Sequence, residues 1–288
     1  MWFSYDVYCS LIAPLLSAGS TMNNSSTLTM KTVWITGASS GIGEALAYAW
    51  SARGAELILS ARRTDALHAV RKRCTAPDRH HVVPLDLSDP DSLHDATETV
   101  LSTCDTVEVL IHNGGISQRA RAVNTNLSVV RRIMEVNFFG AVTLTQALLP
   151  QFIEQGHGHI GVVSSVVGKF STPGRTAYSA SKHALHGYFD GLRAEVHDQG
   201  LRVTLVCPGY VRTNVSRNAL TADGSPYGRE SASIRNGITP DQCADAIIQA
   251  IEDERDEVYI GGLETYAVYL KRLSPALFNQ IIRRIDTT

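Results

Sequence analysis

Short apolar, β-branched runs alternate with helical stretches along most of the chain, and this alternation constrains the fold more than any other feature. Seven runs have the length and composition of strands, at 32–36, 56–60, 82–84, 107–112, 159–164, 202–207 and 257–260. Helical patterns lie between them, near 42–53, 64–74, 90–103, 126–154, 176–198 and 240–253. Strands that are apolar almost throughout and are separated by helices predict a parallel sheet covered on both faces.

The predicted architecture is an α/β, Rossmann-type doubly wound parallel sheet of about seven strands in a single domain, because right-handed crossovers favour that strand order. Residues 31–263 would form this domain, and 264–288 would form a helical tail broken at Pro275. Residues 1–30 are rich in Ser, Thr and Asn and are expected to be a disordered extension. Their one apolar run is too short to span a bilayer and lacks the basic start of a signal peptide. Met30, just before the first strand, is an alternative start of translation.

Composition bears on the classes of partner and site. The net charge of -2 does not indicate a nucleic acid or an anionic membrane as partner. Five scattered cysteines suit a reducing, cytoplasmic compartment and predict neither a disulfide framework nor a zinc site. The histidines of His80-His81 and His157-Gly-His159 have no carboxylate or thiol at ligand spacing, so we expect surface and strand-edge residues and no metal. The basic, amphipathic tail leaves open a packed terminal helix, a dimer contact or peripheral membrane association.

A glycine-rich turn, Thr36-Gly-Ala-Ser-Ser-Gly-Ile-Gly43, follows the first predicted strand and opens the first helix. Gly37 permits a tight turn, Gly41 lets a pyrophosphate approach the backbone, and Gly43 lets helix and sheet pack closely. Phosphates then meet free N–H groups at a helix N-terminus. The turn therefore predicts a dinucleotide site. Its expected ligands are Gly37, Ser39, Ser40, Gly41, Ile42 and Gly43.

The end of the second predicted strand bears on which dinucleotide is bound. NAD-specific folds place an acidic residue there to hold the ribose hydroxyls. Here Ala61 fills that position and is followed by Arg62 and Arg63. A carboxylate would repel a 2′-phosphate, whereas a guanidinium pairs with it through two hydrogen bonds. This favours NADP(H), the alternative for the two arginines being solvated charges on a loop.

Four polar residues form a candidate catalytic group. Tyr178 and Lys182 stand four apart, about one helical turn, so their side chains share a face. A nearby ammonium would lower the pKa of the phenol. Ser165 follows a predicted strand, at the edge where open α/β sheets bind ligands. Asn137 lies inside a predicted helix, where an amide has poor propensity. Taken singly, each has a structural alternative, such as a turn serine or an amide that bonds nearby backbone.

With these motifs in this order, the chain from Lys31 to about Glu230 resembles the short-chain dehydrogenase/reductases. The spacing Gly-x-x-x-Gly-x-Gly is theirs, whereas their extended relatives carry Gly-x-x-Gly-x-x-Gly. The resemblance implies that the tyrosine is the general acid/base, the lysine supports it and holds the nicotinamide ribose, the serine binds the substrate oxygen, and the asparagine holds a relay water. The residues in these roles are Tyr178, Lys182, Ser165 and Asn137.

The resemblance also implies further cofactor contacts. Asp86 and Leu87 follow the third strand, although a helix cap is an equally good account of the aspartate. His112-Asn-Gly-Gly115 keeps the family's second Asn and last Gly and departs from its pattern at His112 and Gly114. The remaining contacts implied are Asn113, Gly115, Pro208, Gly209, Val211 and Thr213, together with Tyr178 and Lys182.

The resemblance also implies a substrate lid over 214–236, where the chain is polar and loop-like. The stretch 214–230, with Ser181-Lys-His183 and Leu192-Arg-Ala-Glu195, looks most like the "member seven" branch, which handles lipophilic carbonyls and alcohols. The function this implies is hydride transfer between NADPH and a carbonyl or secondary alcohol, in a homodimer or homotetramer formed through 126–154 and 176–198. The alternatives are an NAD-linked alcohol dehydrogenase of the same fold, and a non-catalytic NADP-binding or interaction protein. The presence of both Tyr178 and Lys182 favours an enzyme.

Overall fold

Seven parallel strands form the centre of the protein in a computed structural model, which describes residues 31–284. The strands are β1 (Thr32–Thr36), β2 (Glu56–Ser60), β3 (His81–Val82), β4 (Val109–His112), β5 (Gly158–Val163), β6 (Leu201–Pro208) and β7 (Glu257–Ile260). Their order in the sheet is β3-β2-β1-β4-β5-β6-β7, all pairs parallel. The predicted doubly wound, Rossmann-type sheet is confirmed. The predictions for 1–30, including Met30, fall outside the described residues.

Helices connect successive strands and cover both faces of the sheet. In the described residues they are α1 (Gly41–Ala52), α2 (Thr64–Arg73), α3 (Pro90–Thr103), α4 (Leu127–Met134), α5 (Gly140–Gln155), α6 (Thr176–Val196), α7 (Ala232–Arg235), α8 (Pro240–Glu252), α9 (Tyr266–Leu273) and α10 (Pro275–Ile282). The third strand was predicted at 82–84. It is shorter and starts one residue earlier, although hydrogen bonds from Val83 N to Leu59 O and from Leu85 N to Ala61 O continue the contact with β2 beyond its end.

The sheet is buried on both faces, since neighbouring residues of a strand point to opposite sides. In β1, Val33 and Ile35 pack in the core that includes α1, α2 and α8, whereas Trp34 packs in the core that includes α3, α5 and α6. The indole N–H of Trp34 donates to Ser60 Oγ at 2.9 Å, and Ser60 donates to Val83 O at 2.6 Å. The indole N–H of Trp34 and the hydroxyl of Ser60 therefore have partners inside this apolar layer.

One helical stretch of the described residues, Leu127–Gln155, is long and apolar enough by length and composition to cross a membrane. It comprises α4, α5 and a π-helical turn between them. Leu144, Leu148 and Phe152 on its inner side are fully buried against the sheet. Its apolar character thus serves the core of the domain, as in the buried helices of other parallel-sheet proteins.

The C-terminal segment packs beside the carboxyl ends of the strands. It forms α9 and α10 on either side of Ser274, with Pro275 at the first position of α10, where a missing N–H costs nothing. The ring of Phe278 meets that of Phe170 edge-on, with centroids 5.3 Å apart. The same apolar cluster reaches Tyr178. The tail therefore borders the edge of the sheet where the predicted catalytic residues lie.

Candidate active site

The glycine-rich turn leaves the N-terminus of α1 free of side chains. Gly37 and Gly41 have φ angles of +67° and +63°, a region that favours glycine. A Cβ on Gly43 would lie 2.3 Å from the carbonyl oxygen of Gly37, so only glycine fits there. The Asn113 amide donates to Thr36 O at 3.1 Å and to Gly37 O at 3.3 Å. These bonds hold the turn open as a cradle for an anion at the helix N-terminus.

The departures from the family pattern at His112 and Gly114 have local explanations. A Cβ on Gly114 would lie 2.5 Å from Leu87 Cδ1, so glycine at 114 makes room for that leucine. His112 is buried and lies 2.8 Å from Thr145 Oγ1. Burial lowers the pKa of His112 to about 3, and the ring is therefore neutral.

Arg62, Arg63 and Asp86 lie at the ends of β2 and β3, where the adenosine half of a dinucleotide would be held. Arg63 donates to Ser39, to its carbonyl at 3.3 Å and its hydroxyl at 3.2 Å. Burial raises the pKa of Asp86, but hydrogen bonds from Ser88 and the nearby Arg62 outweigh it, and the net shift is downward. The capping alternative for Asp86 fails, because α3 is capped by Asp89.

Ser165 and Tyr178 meet at the carboxyl edge of the sheet. β5 ends at Val163, two residues before Ser165, which begins a 3₁₀ turn over Val166–Gly168. The Ser165 hydroxyl donates to Pro208 O at 3.2 Å and is also hydrogen-bonded to Tyr178. Burial raises the pKa of Tyr178, against which the Arg175 charge and the Ser165 hydrogen bond act. The two hydroxyls are therefore placed to bind one substrate oxygen together.

Lys182 lies one turn beyond Tyr178 on α6, as the spacing predicts, and is only 4% exposed. Its Nζ donates to Val163 O at 2.7 Å and lies 5.8 Å from the centre of the Tyr178 ring. Burial lowers the pKa of Lys182 to about 8. The effects that lower the tyrosine pKa here come from Arg175 and Ser165, not from Lys182, because the ammonium is turned toward the strand.

Asn137 lies in the π-helical turn Glu135–Phe139 and not in a regular helix. Its Oδ1 accepts from Ile116 N at 2.8 Å, and its Nδ2 donates to Ile116 O and Ser181 Oγ, both at 2.9 Å. The extra residue of a π-turn aims the amide inward, and such turns are frequent at functional sites. Oδ1 also faces Gly115 and thus the side of the site that contains Lys182.

Ser165, Tyr178 and Lys182 border a cavity of about 440 Å³ between the sheet edge and the lid, whereas Asn137 is not part of its wall. Of the predicted residues, its wall includes Ile42, Asn113, Gly115, Ser165, Tyr178, Lys182, Pro208, Gly209, Val211 and Thr213. The other predicted cofactor ligands lie outside it, in the glycine turn and at the ends of β2 and β3. From the predicted lid, the wall includes Val215 and residues 227–234, which contain the short helix α7.

Arg119 is a wall residue that had not been predicted, whereas Phe170 and Arg175 lie on the loop 166–175 after Ser165, which was expected to help set substrate specificity. Burial, followed by the nearby Arg175 charge, lowers the pKa of Arg119 to about 10, so the Arg119 guanidinium is charged at neutral pH. Arg175 stands three residues before Tyr178 at the start of α6, and that spacing is a signal that could have placed it near the site. Arg119 carries no comparable signal, since a loop brings it there.

Two of the four histidines in these pairs differ from the expectation of surface and strand-edge residues, whereas His157 is exposed and His81 is half-buried on the edge strand β3, as expected. His80 and His159 are buried, and burial lowers the pKa of both, that of His159 to about 4. His80 lies 2.8 Å from Thr75 O, and His81 lies 2.8 Å from the Glu56 carboxylate. Pairing of β2 with β3 also brings Cys104 near, so a carboxylate and a thiol adjoin His81 after all. The four described cysteines are free and buried.

Comparison with known proteins agrees with this arrangement. Residues 31–223 match the family described as short chain dehydrogenase. The chain is 44% identical over 260 residues to a dehydrogenase/reductase SDR family protein 7-like from Drosophila melanogaster, covering 88% of this chain and 80% of the relative. It is 43% identical over 258 residues to dehydrogenase/reductase SDR family member 7B from Xenopus laevis, covering 87% and 80%. The predicted "member seven" likeness is confirmed.

Solved structures of short-chain dehydrogenases have the same fold as this chain. A short-chain dehydrogenase from Streptomyces avermitilis superposes with a TM-score of 0.75 at 31% identity, over 90% of this chain and 100% of the other. A short-chain dehydrogenase from Sphingobium yanoikuyae in complex with NADPH superposes with a TM-score of 0.71 at 27% identity, over 90% and 98%. This chain is therefore a member of the short-chain dehydrogenase/reductase family of oxidoreductases.

Proposed function

We propose that the protein transfers hydride between NADP(H) and a carbonyl or secondary alcohol of lipophilic character, with reduction as the direction that NADPH favours. The observation that carries this proposal is the meeting of Ser165, Tyr178 and Lys182 at one wall of the cavity. An apolar side of the same cavity, formed by Val166, Val167 and Phe170, supports a lipophilic substrate.

The residues present fit a dinucleotide with a 2′-phosphate. A Cβ on Gly43 would fill the cradle formed by Gly37–Gly43. A Cβ on Gly41 would lie 3.1 Å from the methyl carbon of Thr213. Arg62 and Arg63 at the end of β2 would hold the 2′-phosphate, with no carboxylate at Ala61 to repel it. Asp86 would take the adenine amino group.

The mechanism follows from the polar groups at the cavity wall. When bound, NADPH supplies the hydride. Ser165 and Tyr178 hold the substrate oxygen, and the Tyr178 hydroxyl donates its proton to that oxygen in reduction or accepts one in oxidation. Lys182 holds the nicotinamide ribose and returns the proton to Tyr178 through a water on Asn137. For that water, Asn137 Oδ1 offers the lone pair that Ile116 N does not use.

The test is titration with NADPH and NADH, followed by nicotinamide fluorescence, on the wild type and on Arg62→Ala and Arg63→Ala. We expect tight NADPH binding, weak NADH binding, and a loss of NADPH affinity of about tenfold or more in the variants. Arg71→Ala on the far end of α2 is the matched control and should bind normally. NADH preferred by the wild type would refute the cofactor proposal, and binding of neither would refute the proposed enzyme.

We propose that the cytoplasmic protein is a homodimer or homotetramer paired through α4, α5 and α6. Large apolar side chains exposed on this surface, among them Leu127 and Phe139, support it. Sedimentation velocity provides the test, with Leu127→Asp and Phe139→Asp expected to dissociate the assembly. An exclusively monomeric wild type would refute the pairing.

Peripheral contact of the tail with membranes is a separate proposal. Leu263, Tyr266 and Leu273 are 86%, 66% and 85% exposed, and Lys271 and Arg272 lie beside them. Apolar side chains flanked by cations favour an anionic bilayer surface. Wild-type protein should sediment with phosphatidylserine-containing vesicles and Lys271→Glu/Arg272→Glu should not. The matched doublet Arg71→Glu/Lys72→Glu ends another helix and should behave as wild type; an equal loss in both variants would refute the site.

A further inference from the structure

A buried polar cluster lies behind the serine segment of the candidate active site. His186 is on α6, one turn after Lys182, and is 6% exposed. Its Nε2 is 3.1 Å from Ser164 Oγ and 3.6 Å from Cys207 Sγ. Its Nδ1 is 3.4 Å from Glu257 Oε2, at the start of β7. The imidazole thus joins the ends of β5, β6 and β7 to the helix that carries Tyr178 and Lys182.

The Glu257 carboxylate is the charged end of this cluster. Lys169 Nζ lies 2.5 Å from the same Oε2, and the Tyr259 hydroxyl donates to the other carboxylate oxygen. Burial raises the pKa of Glu257, but its neighbours His186, Lys169 and Tyr259 outweigh this effect and bring the pKa to about 2. Glu257 is therefore ionised at neutral pH, is ion-paired with Lys169 and accepts a hydrogen bond from Tyr259, while His186 Nδ1 lies close to the carboxylate without a hydrogen bond.

The same side chains also have the composition of a metal site, since ligand atoms of His186, Cys207 and Glu257 lie within 4.8 Å of one another. Two observations oppose a cation there. The Lys169 ammonium already neutralises the carboxylate, and burial raises the pKa of the Cys207 thiol, which a metal would need as thiolate. The cluster is better explained as a hydrogen-bond network that fixes geometry.

The network leads directly to the catalytic groups. Three consecutive residues at the end of β5 each bind α6. Val163 O accepts from Lys182 Nζ at 2.7 Å, Ser164 Oγ donates to Lys182 O at 3.3 Å, and Ser165 is hydrogen-bonded to Tyr178. Ser164 is the middle contact, and His186 Nε2 lies against its hydroxyl. A shift of the imidazole would therefore change the position of Ser165 relative to Tyr178.

The network also reaches the loop that forms the apolar wall of the cavity. A Cβ on Gly168 would lie 2.9 Å from His186 Nε2 and 2.7 Å from Ser164 Oγ, so the turn after Ser165 packs directly on the imidazole. The next residue, Lys169, is ion-paired with Glu257. The C-terminal end of this turn is thus held by His186 and Glu257.

We propose that His186 and Glu257 form a positioning pair for the catalytic serine and for the substrate loop 166–175. His186 orients Ser164, and hence Ser165 relative to Tyr178, while Glu257 anchors Lys169 and the loop. The kinetic part of this inference rests on the proposed function. The cofactor turn is held separately, by Asn113. Loss of the pair should therefore affect the carbonyl substrate and leave NADPH binding unchanged.

The test compares His186→Phe, which removes both ring nitrogens and keeps a planar ring, with the wild type. We expect kcat to fall roughly tenfold or more and KM for the carbonyl to rise, with Kd for NADPH within about twofold. His186→Gln restores an amide near Ser164 and should recover most of kcat. His159→Phe is the matched control. Like His186, this histidine is buried and lies close to a hydroxyl, Thr204 Oγ1 at 2.8 Å, but it stands at the start of β5, at the end of the strand away from Ser164. Its kcat should stay within about twofold of wild type.

A second measurement needs no substrate. Hydrogen exchange of the Gly168 and Lys169 amides, which bond to Ser165 O and Val166 O, should accelerate in His186→Phe and in Glu257→Gln but not in His159→Phe. If the wild type turns over no carbonyl, the proposed function fails while this exchange still tests the pair. Unchanged exchange at both amides, or equal kcat losses in His186→Phe and His159→Phe, would overturn the inference. If His186→Phe does not fold, Glu257→Gln supplies both readouts.

Discussion

Replacing Lys182 by methionine should make the ligand-free protein more stable while abolishing its activity. Burial lowers the pKa of Lys182 from its ordinary 10.5 to about 8. That difference means that the charged lysine costs the folded state roughly 3 kcal/mol at neutral pH. Methionine fills a similar volume without charge. The variant loses the hydrogen bond from Nζ to Val163 O, and this loss destabilises the folded state by about 1 to 2 kcal/mol. The expected net gain in the free energy of unfolding is about 1 to 2 kcal/mol at pH 7.

The pH dependence gives the prediction its sign. Because the folded-state pKa lies below the unfolded one, the unfolded chain holds this proton to higher pH. The free energy of unfolding of the wild type therefore gains relative to the variant between about pH 8 and 10.5, and the advantage of Lys182→Met disappears across that window. Urea denaturation at pH 7 and pH 10, with reductant present, measures both values. A variant less stable than wild type at pH 7, or an advantage equal at the two pH values, would refute the reasoning.

Three further substitutions test other parts of the site. Gly43→Ala should destabilise the fold by about 1 to 3 kcal/mol and weaken NADPH binding, because its Cβ would lie 2.3 Å from Gly37 O. Its control, Gly187→Ala in α6, meets no atom within 4 Å and should stabilise by about 0.5 to 1 kcal/mol; equal urea midpoints for the two would contradict this account. Tyr178→Phe should lower kcat at least about 100-fold and leave the Kd for NADPH nearly unchanged. Steady-state rates of the variant close to those of the wild type would exclude Tyr178 as the acid/base. Asn137→Ala should cost about 2 to 3 kcal/mol by urea denaturation, since the N–H and C=O of Ile116 lose their partner, and wild-type stability would show that water replaces it.

Local signals in the chain predicted most of the fold. Runs that are apolar almost throughout, in alternation with helical stretches, predict one parallel sheet, and the residues that follow each strand lie at one edge of that sheet. For this reason the sequence placed Ser165, which follows β5, and Thr213, which follows β6, at the same site, and both line the cavity. Tyr178 and Lys182 were placed together by the geometry of a single helical turn.

Other features could not be read from the chain, because they depend on contacts between distant segments. The π-turn around Asn137 is fixed by hydrogen bonds to Ile116, twenty-one positions earlier. His81 has the Glu56 carboxylate beside it only because β2 pairs with β3. The direction of Lys182 Nζ toward Val163 O, which sets its pKa, likewise depends on how α6 packs on β5.

The sequence by itself determined the order of strands and helices, the glycine turn and the catalytic residue types, since periodicity, glycine conformation and helical spacing act over a few residues. Only the tertiary structure decided which charges line the cavity and what holds the catalytic serine. Arg119 comes to the cavity on a loop, and His186 meets Glu257 from elements 71 positions apart in the chain. Such contacts are set by the packing of the whole domain, and no local pattern encodes them.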